Sequence, residues 1–303
     1  MSAPDVADVR DLAAPGPGAR RPGRRRVSVA YLLLIPGGLW LLLFYVIPTL
    51  SMISISLQEG SLEQGYRLTW NIGIYAEVLG SNDIQIIRSV TYGLITTVAT
   101  LLIAYPLAYG IAFRGGRWKN QLLFLVILPF FVSFVIRTLS WKFVVADEGF
   151  AIGALQSLGM LPDDFQLLGT PIAVLGGLIY NFLPFMTLPL YVALEKMDRS
   201  LLDAASDLYS SRRQAFLKVT LPISLPGVFA GSLLTFIPSV GDFLNSQILG
   251  GPRTTMIGQV IQREFLTNND YPEAAALSFV LMAAILLGVA LYARVLGTEE
   301  LTG

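Results

Sequence analysis

Residues 27–57, 84–113, 121–145, 171–194, 224–249 and 271–296 form strongly apolar runs of about 20 or more residues, the length an α-helix needs to cross roughly 30 Å of hydrocarbon. Inside a bilayer only helices and closed barrels satisfy their own backbone groups, and runs this long and continuous are helical rather than alternating. The chain as a whole agrees, being 54% hydrophobic and 14% charged with a mean hydropathy of +0.62. The expected fold is therefore an all-α polytopic membrane protein with six transmembrane helices. With no histidine and no cysteine, the chain has no imidazole proton shuttle, disulfide, thiol nucleophile or Cys/His metal site. A formal charge of zero excludes a strongly basic nucleic-acid surface.

The ends are expected to be tails. Residues 1–26, closing on ARRPGRRR, are too poor in apolar side chains to order themselves and read as a disordered basic tail, with 297–303 a short C-terminal one. The run at 27–57 exceeds a signal-peptide core of roughly 7–15 residues and lacks an A-x-A site, so it reads as an uncleaved first span. Basic residues gather in the tail (Arg20, Arg21, Arg24, Arg25, Arg26), between spans two and three (Arg114, Arg117, Lys119) and between spans four and five (Lys196, Arg199, Arg212, Arg213, Lys218). An even number of spans puts all of these on one face, with both termini, and the positive-inside rule makes that face cytoplasmic. The opposite loops carry Glu59, Glu63, Glu77, Asp83, Asp147, Glu148, Asp163 and Asp164. Loops depleted of Lys and Arg look acidic by default, so solvated carboxylates explain them as well as attraction of cations does.

The polar island at 198–222, DRSLLDAASDLYSSRRQAFLKVTLP, separates two apolar spans. Ser200 with Asp203, and Ser211 with Gln214, have capping-box spacing, which predicts two short helices with a turn near Tyr209 and Ser210. Leu201, Ala205 and Leu208 share one face of the first, where the small Ala204 and Ala205 would let a partner approach the backbone. Pro222 is expected to end the second helix.

Polar groups at membrane depth mark the candidate pathway. Asp242 stands about 18 residues into the fifth span, roughly 27 Å along an unbroken helix, in a stretch interrupted by Pro226, Gly227, Gly231, Pro238 and Gly241. Broken helices persist at that depth where they line a cavity or pack inside protein. Asp242 beside Asn245 is the leading substrate-path candidate; an interfacial or salt-bridged structural carboxylate is the plainer reading. Arg137 and Lys142, in the outer half of the third span, each need a partner or water, and similar depth suggests Asp242 for Arg137. Trp141 and Tyr180 offer ring faces to a cation, or else pack. No glycine pair is followed by the GK[ST] that cradles phosphate, so no nucleotide site is expected on this chain.

The island also resembles the EAA motif of ABC importer permeases. In DAASDLYSSRRQAFLKVTLP the spacing of Asp203, Ala204, Ala205, Tyr209, Val219, Leu221 and Pro222 matches, with Asp203 for the usual Glu and Tyr209 for the usual Gly. PFFVSFVIRTLSW, NFLPFMTLPLYVALEKMD and FIPSVGDFLNSQILGGPRTTMIG are similar to the permeases of spermidine/putrescine importers, and the likeness covers roughly 31–296. The resemblance implies a type I ABC importer permease domain over 27–296, a second related permease subunit, and an extracytoplasmic polyamine-binding protein. It also implies a cytoplasmic ATPase dimer holding ATP and Mg, with no cofactor on this chain. Coupling helices at about 198–222 would seat on the ATPase through Asp203, Ala204, Ala205, Tyr209, Arg212 and Pro222. Another small solute, or an ion-coupled secondary transporter, are the alternatives. At Tyr209 the chain either adopts the left-handed turn that glycine usually supplies, or builds the turn differently.

Overall fold

The computed structural model describes residues 25–147, 149–162 and 164–296; most of the expected basic tail, Glu148, Asp163 and 297–303 lie outside the described residues. The chain divides into two compact units, Met1–Met52 and Ile53–Gly303. Helix α1 (Arg25–Leu41) passes through a widened π turn, Leu42–Val46, into α2 (Ile47–Ser56), whose residues from Ile53 onward are counted with the second unit. The stretch Tyr31–Ser56 is long and apolar enough to cross a membrane. Its Thr49 and Ser51 hydroxyls donate to the Tyr45 and Ile47 carbonyls at 2.7 and 2.9 Å, as polar side chains facing lipid must.

The second unit continues with a two-stranded antiparallel hairpin, β1 (Gln58–Ser61) and β2 (Gly65–Leu68), a small addition to an otherwise helical chain. Then follow α3 (Gly73–Ser81), α4 (Asp83–Tyr109), α5 (Lys119–Ile127), α6 (Phe134–Val145), α7 (Phe150–Ser157), α8 (Pro171–Glu195), α9 (Ser200–Asp207), α10 (Arg212–Ala215), α11 (Leu221–Val240), α12 (Leu244–Leu249), α13 (Ile257–Arg263) and α14 (Tyr271–Leu296). Among the described residues five helices are long and apolar enough to cross a membrane, six if a bent pair counts as one span.

That pair is the expected third span. It is two segments, Gly116–Phe131 and Phe134–Ser157, at 99°. Pro129 tightens Leu128–Phe131 into a 3₁₀ turn and Val132 is extended (φ −102°, ψ 138°), so the helix must restart at Phe134.

The fifth span also differs from its expected bounds. A continuous helix runs Arg212–Val240, beginning inside the polar island, because a π turn at Phe216–Thr220 joins α10 to α11. Pro222 does not end a helix; it lies at the start of α11, directly after the π turn Phe216–Thr220, inside the continuous helix. Pro226 and Pro238 stay within α11, and the break comes only after Val240, where Gly241–Phe243 separates it from α12.

The core is α4, α8 and α11 packed together. Lipid is as apolar as leucine, so small residues that admit close van der Waals contact hold the helices together. One face of α4 is Ser89, Gly93, Thr96, Thr100, Ala104 and Ala108, all buried. A Cβ on Gly93 would stand 2.3 Å from Val240, and one on Gly231 of α11 would stand 2.8 Å from the Met186 sulfur of α8. Gly227 and Gly231 are therefore packing contacts and do not interrupt the span.

Candidate functional site

Two sites emerge, one at each end of the Arg212–Val240 helix. The first is the polar island. The Asp198 carboxylate accepts the Ser200 amide at 2.9 Å, and this bond holds the exposed carboxyl below its ordinary pKa. Ser200 makes no capping bond to α9, so the expected Ser200–Asp203 box does not form, and Asp198 takes the Ser200 amide instead. The second box forms: Ser211 Oγ accepts the Gln214 amide at 3.3 Å and Gln214 Oε1 accepts the Ser211 amide at 3.0 Å.

Tyr209 takes the left-handed turn with φ of 56°. The Tyr209 amide bonds to the Ser206 carbonyl at 2.9 Å and the Ser210 amide to the Ala205 carbonyl at 3.0 Å, the pair of bonds that defines a Schellman ending. Its ring is 97% exposed. Asp203, Ala204 and Arg212 are exposed too, Ala205 and Pro222 half-buried, so the island presents a surface to solvent. Arg199 fixes it from behind: its guanidinium donates to the Ala112 carbonyl at 3.1 Å and lies 5.8 Å from the Phe113 ring centre. Arg199 thus caps the C-terminal end of the second span, a role invisible in sequence because its acceptor is 87 residues away.

The second site gathers most of the expected pathway residues. Asp242, 8% exposed, accepts the Asn245 amide at 2.8 Å and the Asn245 side-chain amide at 3.1 Å, capping α12. Asn245 Oδ1 in turn accepts from Asn181 of α8 at 3.1 Å, and Asn181 donates to Thr138 of α6 at 3.1 Å. Trp141 and Tyr180 stack with centroids 5.5 Å apart and planes 11° from parallel. A Cβ on Gly177 would stand 2.8 Å from Asn245 Oδ1, so only glycine lets α12 approach.

Arg137 and Asp242 do not form the expected ion pair. Among the described residues the ion pairs are Lys119 with Glu195 and Arg263 with Glu264. The Asp242 oxygens are occupied by Asn245, and the Arg137 guanidinium lies over Phe130 and Phe134, 5.5 and 5.4 Å from their centres. Similar depth did not imply facing directions. Lys142 is exposed and joins no ion pair. Arg137 Nε and Nη1, Trp141 Nε1 and Asn181 Oδ1 are buried without a hydrogen-bond partner among the described residues. Sequence reasoning missed Asn181 and Thr138, single polar residues in apolar helices.

Residues 100–296 match the family described as the binding-protein-dependent transport system inner membrane component. The chain belongs to this family. The permease is 34% identical over 256 residues to the spermidine/putrescine transport system permease protein PotB of Escherichia coli (strain K12), covering 84% of this chain and 93% of that protein. It is 36% identical to the PotB of Haemophilus influenzae, covering 84% and 90%. In fold it is similar to a chain of a bacterial ABC transporter involved in the import of alginate, with TM-score 0.69 and 19% identity over 92% of this chain and 97% of that one. A chain of the MetNI methionine ABC transporter gives TM-score 0.53 at 16% identity, covering 70% and 94%. As an inner-membrane permease of an ABC transporter this chain is a non-catalytic component, with the ATPase on a separate chain.

Proposed function

We propose that this permease carries a spermidine- or putrescine-like polyamine, delivered by an extracytoplasmic binding protein, in a complex with a second related permease and a cytoplasmic ATPase dimer. The observation that carries the cargo is the 34% identity, over 84% of the chain, to permeases that bear spermidine and putrescine in their names. In this reading α9 and α10 are the coupling element. Asp203, at the start of α9, complements the positive end of the helix, and the exposed ring of Tyr209 seats against the ATPase. ATP and Mg remain on the partner, and nucleotide-driven closure rocks the continuous Arg212–Val240 helix.

The Asp242 cluster is the pathway. Its Asp242 carboxylate and Asn181 Oδ1, unpartnered among the described residues, are acceptors that suit ammonium groups. The test is the complete complex in proteoliposomes, with ATPase rate and uptake followed as spermidine-loaded, putrescine-loaded and empty binding protein are added. Stimulation by polyamine and not by uncharged solutes supports the reading. No stimulation by either polyamine rejects the cargo, and stimulation without any binding protein rejects the delivery step.

A further inference from the structure

Behind the polar island, α9, α10 and the inner end of the second span enclose a cleft of about 340 Å³. Arg114 and Arg212 line it, with Ser206 and Ser210 between them and the rings of Tyr109 and Phe216 as an apolar wall. Neither arginine has a hydrogen-bond or ion-pair partner, and neither serine hydroxyl is engaged, among the described residues. The nearest acids of the island are turned away: on α9, Leu202 and Ser206 face the cleft one turn apart, which rotates Asp203 and Asp207 by about 100°. Two forked donors and two hydroxyls beside an apolar wall, with no carboxylate among the lining residues, suit a tetrahedral oxyanion.

We propose that this cleft binds a phosphate group, and that membrane phospholipids of net negative charge, whose headgroup phosphate is not neutralised by choline, supply it. Arg114 closes an apolar helix long enough to span the bilayer, which puts its guanidinium at headgroup level, and neighbouring Arg117 lies over Trp118 at 5.5 Å in the manner of an interfacial pair. The ligand would bridge the coupling helices to the second span and stiffen the lever. This rests on the reading of the island as the coupling element.

The experiment uses the full complex, with second permease, ATPase and binding protein, in phosphatidylcholine vesicles with and without phosphatidylglycerol. Expected is a several-fold rise in cargo-stimulated ATPase with phosphatidylglycerol, and retention of that lipid by the complex in native mass spectrometry. Arg114→Gln should weaken lipid retention by roughly tenfold and remove the lipid response, while leaving the rate in phosphatidylcholine unchanged. Ser206→Asp, an exposed position that threatens no packing, should likewise weaken lipid retention, by repulsion. If inorganic phosphate in phosphatidylcholine vesicles reproduces the rise, the site stands and the source is a free anion. A loss in Arg114→Gln that is equal in both lipids overturns the proposal, because the cleft is then an ATPase contact, as does no response to either phosphate source. Should cargo stimulate nothing in any lipid, the coupling reading fails, and lipid retention by wild type against Arg114→Gln still decides the site.

Discussion

Tyr209 carries a conformation that glycine adopts freely, and an L-residue with a side chain in the left-handed region is strained by roughly 1–2 kcal/mol. Both Schellman bonds form in spite of that, so the strain is held by the flanking α9 and the capped start of α10. A side chain kept there with its ring in solvent has no role in folding this chain. In Tyr209→Gly the amides at positions 209 and 210 should exchange several-fold more slowly than a glycine and a serine without that relief of strain would, because the left-handed turn no longer strains a side chain. Cargo-stimulated ATPase should nevertheless fall several-fold if the ring seats on the ATPase as proposed; unchanged coupling would show the ring to be idle. Asp242 is the complementary case, a carboxylate whose two acceptors hold Asn245 in place. Asp242→Asn keeps an oxygen for the Asn245 amide and removes the charge. Loss of one charged hydrogen bond to an ammonium corresponds to about 1.5–3 kcal/mol, so polyamine uptake should drop about tenfold or more while detergent-extracted protein stays folded. Uptake at the wild-type rate would place the cargo path elsewhere.

At the scale of elements, helix ends and helix contacts make separate demands. The capping box on α10 satisfies two amides that would otherwise point at water, and Ser211→Ala should cost about 1 kcal/mol locally, seen as faster exchange at Gln214 with α11 unaffected. In the core, Gly231→Leu would drive a side chain into Met186, where the nearest contact of a bare Cβ is already 2.8 Å. Overpacking of about 1–3 kcal/mol should lower the thermal transition of the extracted protein, and a compensating Met186→Ala should restore part of it. These features differ in how far they show in sequence. The Ser211–Gln214 box lies within four residues and was legible. The Pro129 break also had its signal, but a run of apolar residues continues across it and hides the bend. The π turn at Phe216–Thr220 has no residue signature, so the fifth span extends where periodicity gave no reason to extend it. Arg137 and Asp242 share a depth, yet rotation about each helix decides what a side chain faces, and that comes only from packing.

Across the whole molecule, one rod connects the two sites. The Arg212–Val240 helix of 29 residues is roughly 43 Å long at 1.5 Å per residue, and carries the polar island at one end and the Asp242 break at the other. A second route starts at Arg199, whose guanidinium ties the island to the Ala112 carbonyl at the C-terminal end of the second span, which itself packs on α8 and α11. With both routes intact the island cannot move without moving two spans of the core. Arg199→Gln should cut the second route while leaving Asp203, Ala204 and Tyr209, the exposed face of the island, unchanged. The ATPase should still bind with its wild-type affinity, while the number of polyamines taken up per ATP hydrolysed falls several-fold. Arg199→Lys can donate to the carbonyl but cannot lay a planar group on the ring, so it should recover part of the coupling. A fall in ATPase affinity with an unchanged transport ratio would instead make Arg199 a docking residue, leaving the long helix to transmit the motion alone.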